Sequence, residues 1–176
     1  MSINGTESNS SANRMMYLFM ATGIVPLLVI FAIYLYNPGS QVLYYIASGV
    51  SDLPAVTSLA NPLMTKVMDA YCKTAPFLAF ALFIFSFKKR KVLEMGDKKK
   101  LAISCFFSPL LYAFFIYMFL FRDMELTTAG RPVKYLSNND FTLLLFYSGL
   151  YYASFLLTYG ICYIPVITYK SFKVRQ

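Results

Sequence analysis

The chain contains no histidine, so the commonest general base and metal ligand is missing from the outset. Its three cysteines, Cys72, Cys105 and Cys162, stand too far apart for a metal-ligand or redox pair. Each lies in apolar sequence and reads as a small packing residue. Asp123 and Glu125 are spaced so that they could share acid–base work, but Arg122 beside them makes a solvated ion cluster the plainer reading. Lys66, Asp69 and Lys73, at i, i+3 and i+7, form a ladder on one helical face. That ladder is either a solvated surface or a polar contact surface for a partner. No phosphate loop, dinucleotide fingerprint or metal-binding pair is present. No charge falls at the centre of an apolar run, which removes the usual marker of an ion path. These residues argue against an enzyme or a pump, with no cofactor, no metal and no small-molecule substrate. Binding is what remains.

The elements that must position these residues follow from hydropathy. The chain is 58% hydrophobic with mean hydropathy +0.55, against roughly 45–50% apolar residues in a soluble domain. A net charge of +8 could suggest nucleic acid, but the apolar runs are too long for that. Attraction to an anionic leaflet explains it better. The expected fold is all-α: a polytopic membrane protein, a four-transmembrane-helix bundle forming one domain over 15–176. A Ser/Asn-rich tail, 1–14, precedes it and is expected to be disordered.

The spans are placed at about 15–36, 67–87, 101–121 and 141–163. Met15 to Tyr36 is uncharged and, at 1.5 Å per residue, reaches about 33 Å, enough to cross a bilayer core. Asn37-Pro38-Gly39 then turns the chain, and Gln41 to Val50 is too short to cross, which suits a segment lying in the interface. Asn61 and Pro62 are an N-cap and first-turn signal for a second helix running to Phe87 and projecting beyond the bilayer. Asp97 is expected to cap the third helix. The spacing of Ser137 and Asp140, with Asn139 as an alternative, marks the start of the fourth. Each span holds one proline, Pro26, Pro76, Pro109 or Pro165, expected to bend or loosen it. In the fourth span Ser148, Gly149, Tyr152 and Ser154 are the kind of residues through which membrane helices approach one another.

Orientation follows from charge. Lys88, Lys89, Arg90, Lys91, Lys98, Lys99 and Lys100 crowd the connection 88–100 between the second and third spans. Basic loops stay on the cytoplasmic side. With four spans, both termini then lie on that side too, together with Arg14, Lys170, Lys173 and Arg175. The inner side nets +8, and the outer segments 37–66 and 122–140, with the projecting helix end, net zero.

Two strings, NPLMTKVMDAYCKTAPF from Asn61 to Phe77 and ELTTAGRPVK from Glu125 to Lys134, carry a resemblance. TLLLFYSGLYY, Thr142 to Tyr152, and the terminal Lys-Val-Arg-Gln add to it. The chain resembles the immunity proteins of the A-type pore-forming colicins over about Met15 to Gln176, and its four-span layout agrees with them rather than with the three-span E1 type. The resemblance implies a multi-pass protein of the bacterial inner membrane whose partners are the lipid bilayer and the pore-forming domain of an A-type colicin. It implies protection of the producing cell by preventing that channel from opening, with no nucleic acid involved. Toxin contact is then expected at Lys66, Asp69, Lys73, Thr127, Thr128, Arg131 and Lys134, unless the two periplasmic segments pack on each other as a lid. Inside the membrane, contact is expected at Ser148, Gly149, Tyr152 and Ser154. The alternative is a small membrane channel or transporter subunit, which would conduct or transport when reconstituted alone.

Overall fold

The structure is a computed structural model, and residues 4–87 and 98–173 are described. Lys88, Lys89, Arg90 and Lys91 lie outside the described residues, as does Asp97. Lys98, Lys99 and Lys100 form the first turn of a helix. In order, the elements are α1 (Asn4–Tyr36), α2 (Gln41–Gly49), β1 (Val56–Thr57), α3 (Pro62–Cys72), α4 (Ala75–Ser86), α5 (Lys98–Leu120), β2 (Met124–Glu125), a 3-10 turn (Leu126–Thr128), α6 (Arg131–Leu136) and α7 (Asp140–Lys173).

Four helical stretches are long and apolar enough to cross a membrane: Asn9–Tyr36, Pro62–Ser86, Ala102–Leu120 and Asp140–Lys170. A chain in hydrocarbon must satisfy its backbone polar groups internally, and a helix does so within one segment. α7 is the centre of the bundle. α5, α4, α1 and α3 all pack against it, and its Leu143, Tyr147, Tyr151 and Phe155 are buried with Leu27 of α1, Met64 and Met68 of α3, and Leu82 of α4. α5 packs mainly on α7 and turns Phe106, Phe107, Leu110 and Phe114 outward.

Several local expectations are corrected. Residues 4–14 are not disordered but continue α1 as helix. Once an apolar helix exists, each added residue gains a hydrogen bond without a new nucleation cost, and Ala12 is buried. The second span is two helices. α3 ends at Cys72 and α4 begins at Ala75, because Pro76 has no N–H to continue the ladder. The Thr74 N–H and hydroxyl both donate to the Tyr71 carbonyl, at 2.9 and 2.7 Å, and close the break. By contrast α1, α5 and α7 run on through Pro26, Pro109 and Pro165. Asn61 stands at the N-cap position of α3, but its side chain makes no cap bond. It accepts from the Tyr34 hydroxyl and donates to Asp140, tying three helices together. At the start of α7 the cap is Asn139, whose Oδ1 accepts from the Phe141 N–H at 2.9 Å, while Ser137 donates to the Lys134 carbonyl. Gly23 is a point of close approach between α1 and α7. It admits Tyr151, whose hydroxyl would lie 2.6 Å from a Cβ placed there.

The all-helical layout has one exception among the described residues, a parallel two-residue ladder between β1 and β2. Val56 faces Met124, and Thr57 faces Glu125.

Candidate functional site

The ladder joins two connections far apart in sequence into a cap over the end of the bundle. Its bonds are specific. The Ala55 N–H donates to Asp123 Oδ1 at 2.8 Å, and the Met124 N–H to the Ala55 carbonyl at 3.2 Å. Glu125 Oε1 accepts from the N–H groups of Leu59, at 2.8 Å, and Thr127, at 3.1 Å, and from the Thr127 hydroxyl. From the bundle side, Asp69 Oδ1 accepts from the Val56 N–H at 3.2 Å, and the Tyr147 hydroxyl donates to the Val56 carbonyl at 2.7 Å. Both backbone groups of one β1 residue are thus held by side chains of α3 and α7. Thr65 and Ser58 continue the seam: the Ser58 N–H donates to Thr65 Oγ1 at 3.1 Å.

This arrangement places each expected contact residue. Asp69 is 1% exposed and paired with Lys73, which is itself 12% exposed, so neither belongs to a solvated ladder. Lys66 donates to the carbonyls of Ser51 and Leu53, at 3.2 and 2.7 Å, and fastens the turn after α2. Thr127 is half-buried on Glu125, and the Thr128 hydroxyl donates to the Glu125 carbonyl at 3.0 Å. Arg131 and Lys134 are different. Both are exposed and line a concavity of about 200 Å³ with Tyr135 and Asn138.

On α7 the second group also divides. Ser148 donates to the Leu144 carbonyl of its own helix, and the Tyr152 hydroxyl to the Met20 carbonyl of α1 at 3.2 Å. Ser154 is fully buried, and its hydroxyl has no hydrogen-bond partner. Gly149 alone of the four faces outward. A Cβ there would meet nothing within 4 Å, and it floors a shallow apolar hollow with Ala153 and Phe119. The close helix contacts are made instead at Gly23 and at Gly160, where a Cβ would stand 2.8 Å from the Tyr112 ring.

No group of metal-ligating side chains occurs among the described residues. Cys72 is buried and donates weakly to the Tyr147 carbonyl, and the three cysteines are free. Four helices able to cross a membrane and a hydrogen-bonded cap do not by themselves name a function, and comparison with known proteins gives the family. The family profile described as colicin immunity protein matches residues 39–176. The chain belongs to the colicin immunity protein family.

This immunity protein is 51% identical over 168 residues to the colicin-A immunity protein of Citrobacter freundii, covering 96% of this chain and 94% of that one. It is 41% identical over 170 residues to the colicin-B immunity protein of Escherichia coli, with 97% of each chain covered. With the colicin-N immunity protein of Escherichia coli it shares 38% identity over 84 residues, 46% of this chain and 61% of that one. No solved structure matches it.

Within the immunity protein, the residues that sequence reasoning missed are those holding the cap: Val56, Ser58, Asp123, Glu125 and Tyr147. Glu125 carries an electrostatic signature of the role. Burial pushes its carboxyl up, but the hydrogen bonds from Thr127, Leu59 and Thr57 outweigh it and hold the group below the usual carboxylate value of 4.5. Asp123 and Glu125 were legible as a pair of acids but not as acceptors that join the two connections, since Ala55 and Leu59 lie more than sixty residues away.

Proposed function

We propose that the immunity protein sits in the bacterial inner membrane with both termini and the connection 88–100 in the cytoplasm, and the cap in the periplasm. From there it binds the pore-forming domain of an A-type colicin and keeps the channel from opening. The similarity to immunity proteins for colicins A and B along nearly the whole chain is the observation that carries this reading. The charge distribution supports the orientation, because the basic connection and tail would otherwise have to cross the bilayer. A membrane-resident binder meets an inserting helical toxin in two dimensions, and packing against it can shift the toxin's population toward a closed state. On this reading the protein acts as a binder rather than an enzyme, which its membership of the colicin immunity protein family supports.

The test is expression in a colicin-sensitive bacterium followed by challenge with colicins A, B, N, U, Y and E1. The expected result is survival against one or two of the A-type toxins and killing by E1. Survival against none of them overturns the reading. Conductance or uptake in liposomes containing this chain alone would favour a channel or transporter subunit instead.

A further inference from the structure

By formula, the cap-side segments carry as many acids as bases: Lys66, Lys73, Arg122, Arg131 and Lys134 against Asp52, Asp69, Asp123, Glu125 and Asp140. The folded cap does not present that balance. Asp69 is buried on Lys73 and the Val56 N–H. Asp123 is engaged by the Ala55 N–H, Glu125 by Leu59 and Thr127, and Asp140 by Asn61. Of the five acids, Asp52 alone has no partner beyond its neighbour Ser51. Among the bases Lys66 and Lys73 are likewise engaged. Arg131 and Lys134 form no ion pair among the described residues, where the pair between Lys73 and Asp69 is the one present.

These two cations are not scattered. Arg131, Lys134 and Tyr135 of α6, with Asn138 in the turn after it, line the concavity of about 200 Å³, and Tyr135 is 72% exposed. We infer that this concavity is the point at which the immunity protein receives a carboxylate-bearing face of its toxin partner. The inference rests on the function proposed above and names the contact chemistry within it. Four of the five acids are engaged within the cap, three of them by backbone N–H groups. Arg131 and Lys134 are exposed and without an ion pair among the described residues, so the concavity they line is positive although the sequence is neutral there. A guanidinium and an ammonium can take the two oxygens of a carboxylate, and a phenol and an amide can complete its shell. Arg and Tyr together are also the side chains enriched at protein interfaces, which favours a protein partner over the phosphate of a lipid headgroup.

Such a patch acts chiefly on the rate and salt dependence of encounter. The full-length protein in lipid nanodiscs would be mixed with the isolated pore-forming domain of a colicin against which it protects, at low and high ionic strength. Arg131→Gln/Lys134→Gln should slow association roughly tenfold at low salt and flatten its salt dependence, with the amount of protein in the membrane unchanged. Unchanged rates in the double variant overturn the inference while leaving the immunity reading intact. An equal loss from Arg122→Gln, one cation outside the concavity, overturns it too, by showing a general charge effect. So does an equal loss in binding to toxin-free vesicles rich in phosphatidylglycerol, which would make the patch a lipid seat. If the wild-type protein binds no pore-forming domain, the inference and the function it rests on both fail.

Discussion

At the scale of single residues, the cap depends on a charge removed from water. Asp69 and Lys73 are nearly inaccessible, and the carboxylate also holds the Val56 N–H. Such a pair is costly to break from one side, because the remaining charge stays buried. Asp69→Asn should therefore lower stability by about 3–5 kcal/mol, and Asp69→Asn/Lys73→Met should recover much of the loss. Thermal unfolding in detergent measures both, and a single variant as stable as the parent would contradict the pairing. The glycines make a complementary prediction. Gly23→Ala must displace Tyr151 and should cost about 1–3 kcal/mol. Tyr151→Phe should restore only part, since the ring carbon at 2.8 Å remains after the hydroxyl at 2.6 Å is gone. Gly149→Ala meets open space and should leave stability within about 0.5 kcal/mol. A loss of protection in that variant at unchanged stability would identify Gly149 as a toxin contact. Sequence could nominate these residues by type but not rank them. Whether a small residue on α7 faces a neighbouring helix or the lipid depends on the rotation of the whole bundle.

At the scale of elements, what the sequence made legible was what hydrocarbon enforces. Long uncharged runs must become helices, and α1, α5 and α7 do so. The cap was not legible, because strands of two residues carry no periodicity and exist only through their tertiary partners. The break between α3 and α4 was half legible, since Pro76 announced a weak point without saying that the helix would restart beyond it. Glu125 gives the cap a pH dependence that can be checked. Its folded carboxyl titrates below the ordinary value, so the stability it contributes is complete above about 4.5 and is lost as pH falls through the lower, folded value. The amide NMR signals of Leu59 and Thr127 should follow one titration with a midpoint below 4.5, and Glu125→Gln should abolish it. A midpoint at or above 4.5 would show that these hydrogen bonds do not stabilise the carboxylate.

At the scale of the whole molecule, the immunity protein is a bundle with two unlike ends. One carries Lys98, Lys99, Lys100 and Lys170, while the other is closed by the cap. A reporter fused at Met95 should be active only when it reads the cytoplasm, and one placed at Gly130 only when it reads the periplasm. The opposite pattern would invert the proposed orientation and remove the cap from the toxin's path. The mechanism itself is tested most directly by potassium efflux from sensitive cells exposed to the colicin that this protein neutralises. In cells expressing it, the toxin should still adsorb and reach the inner membrane while efflux stays at the level of untreated cells. Efflux as fast as in cells lacking the protein would contradict the account.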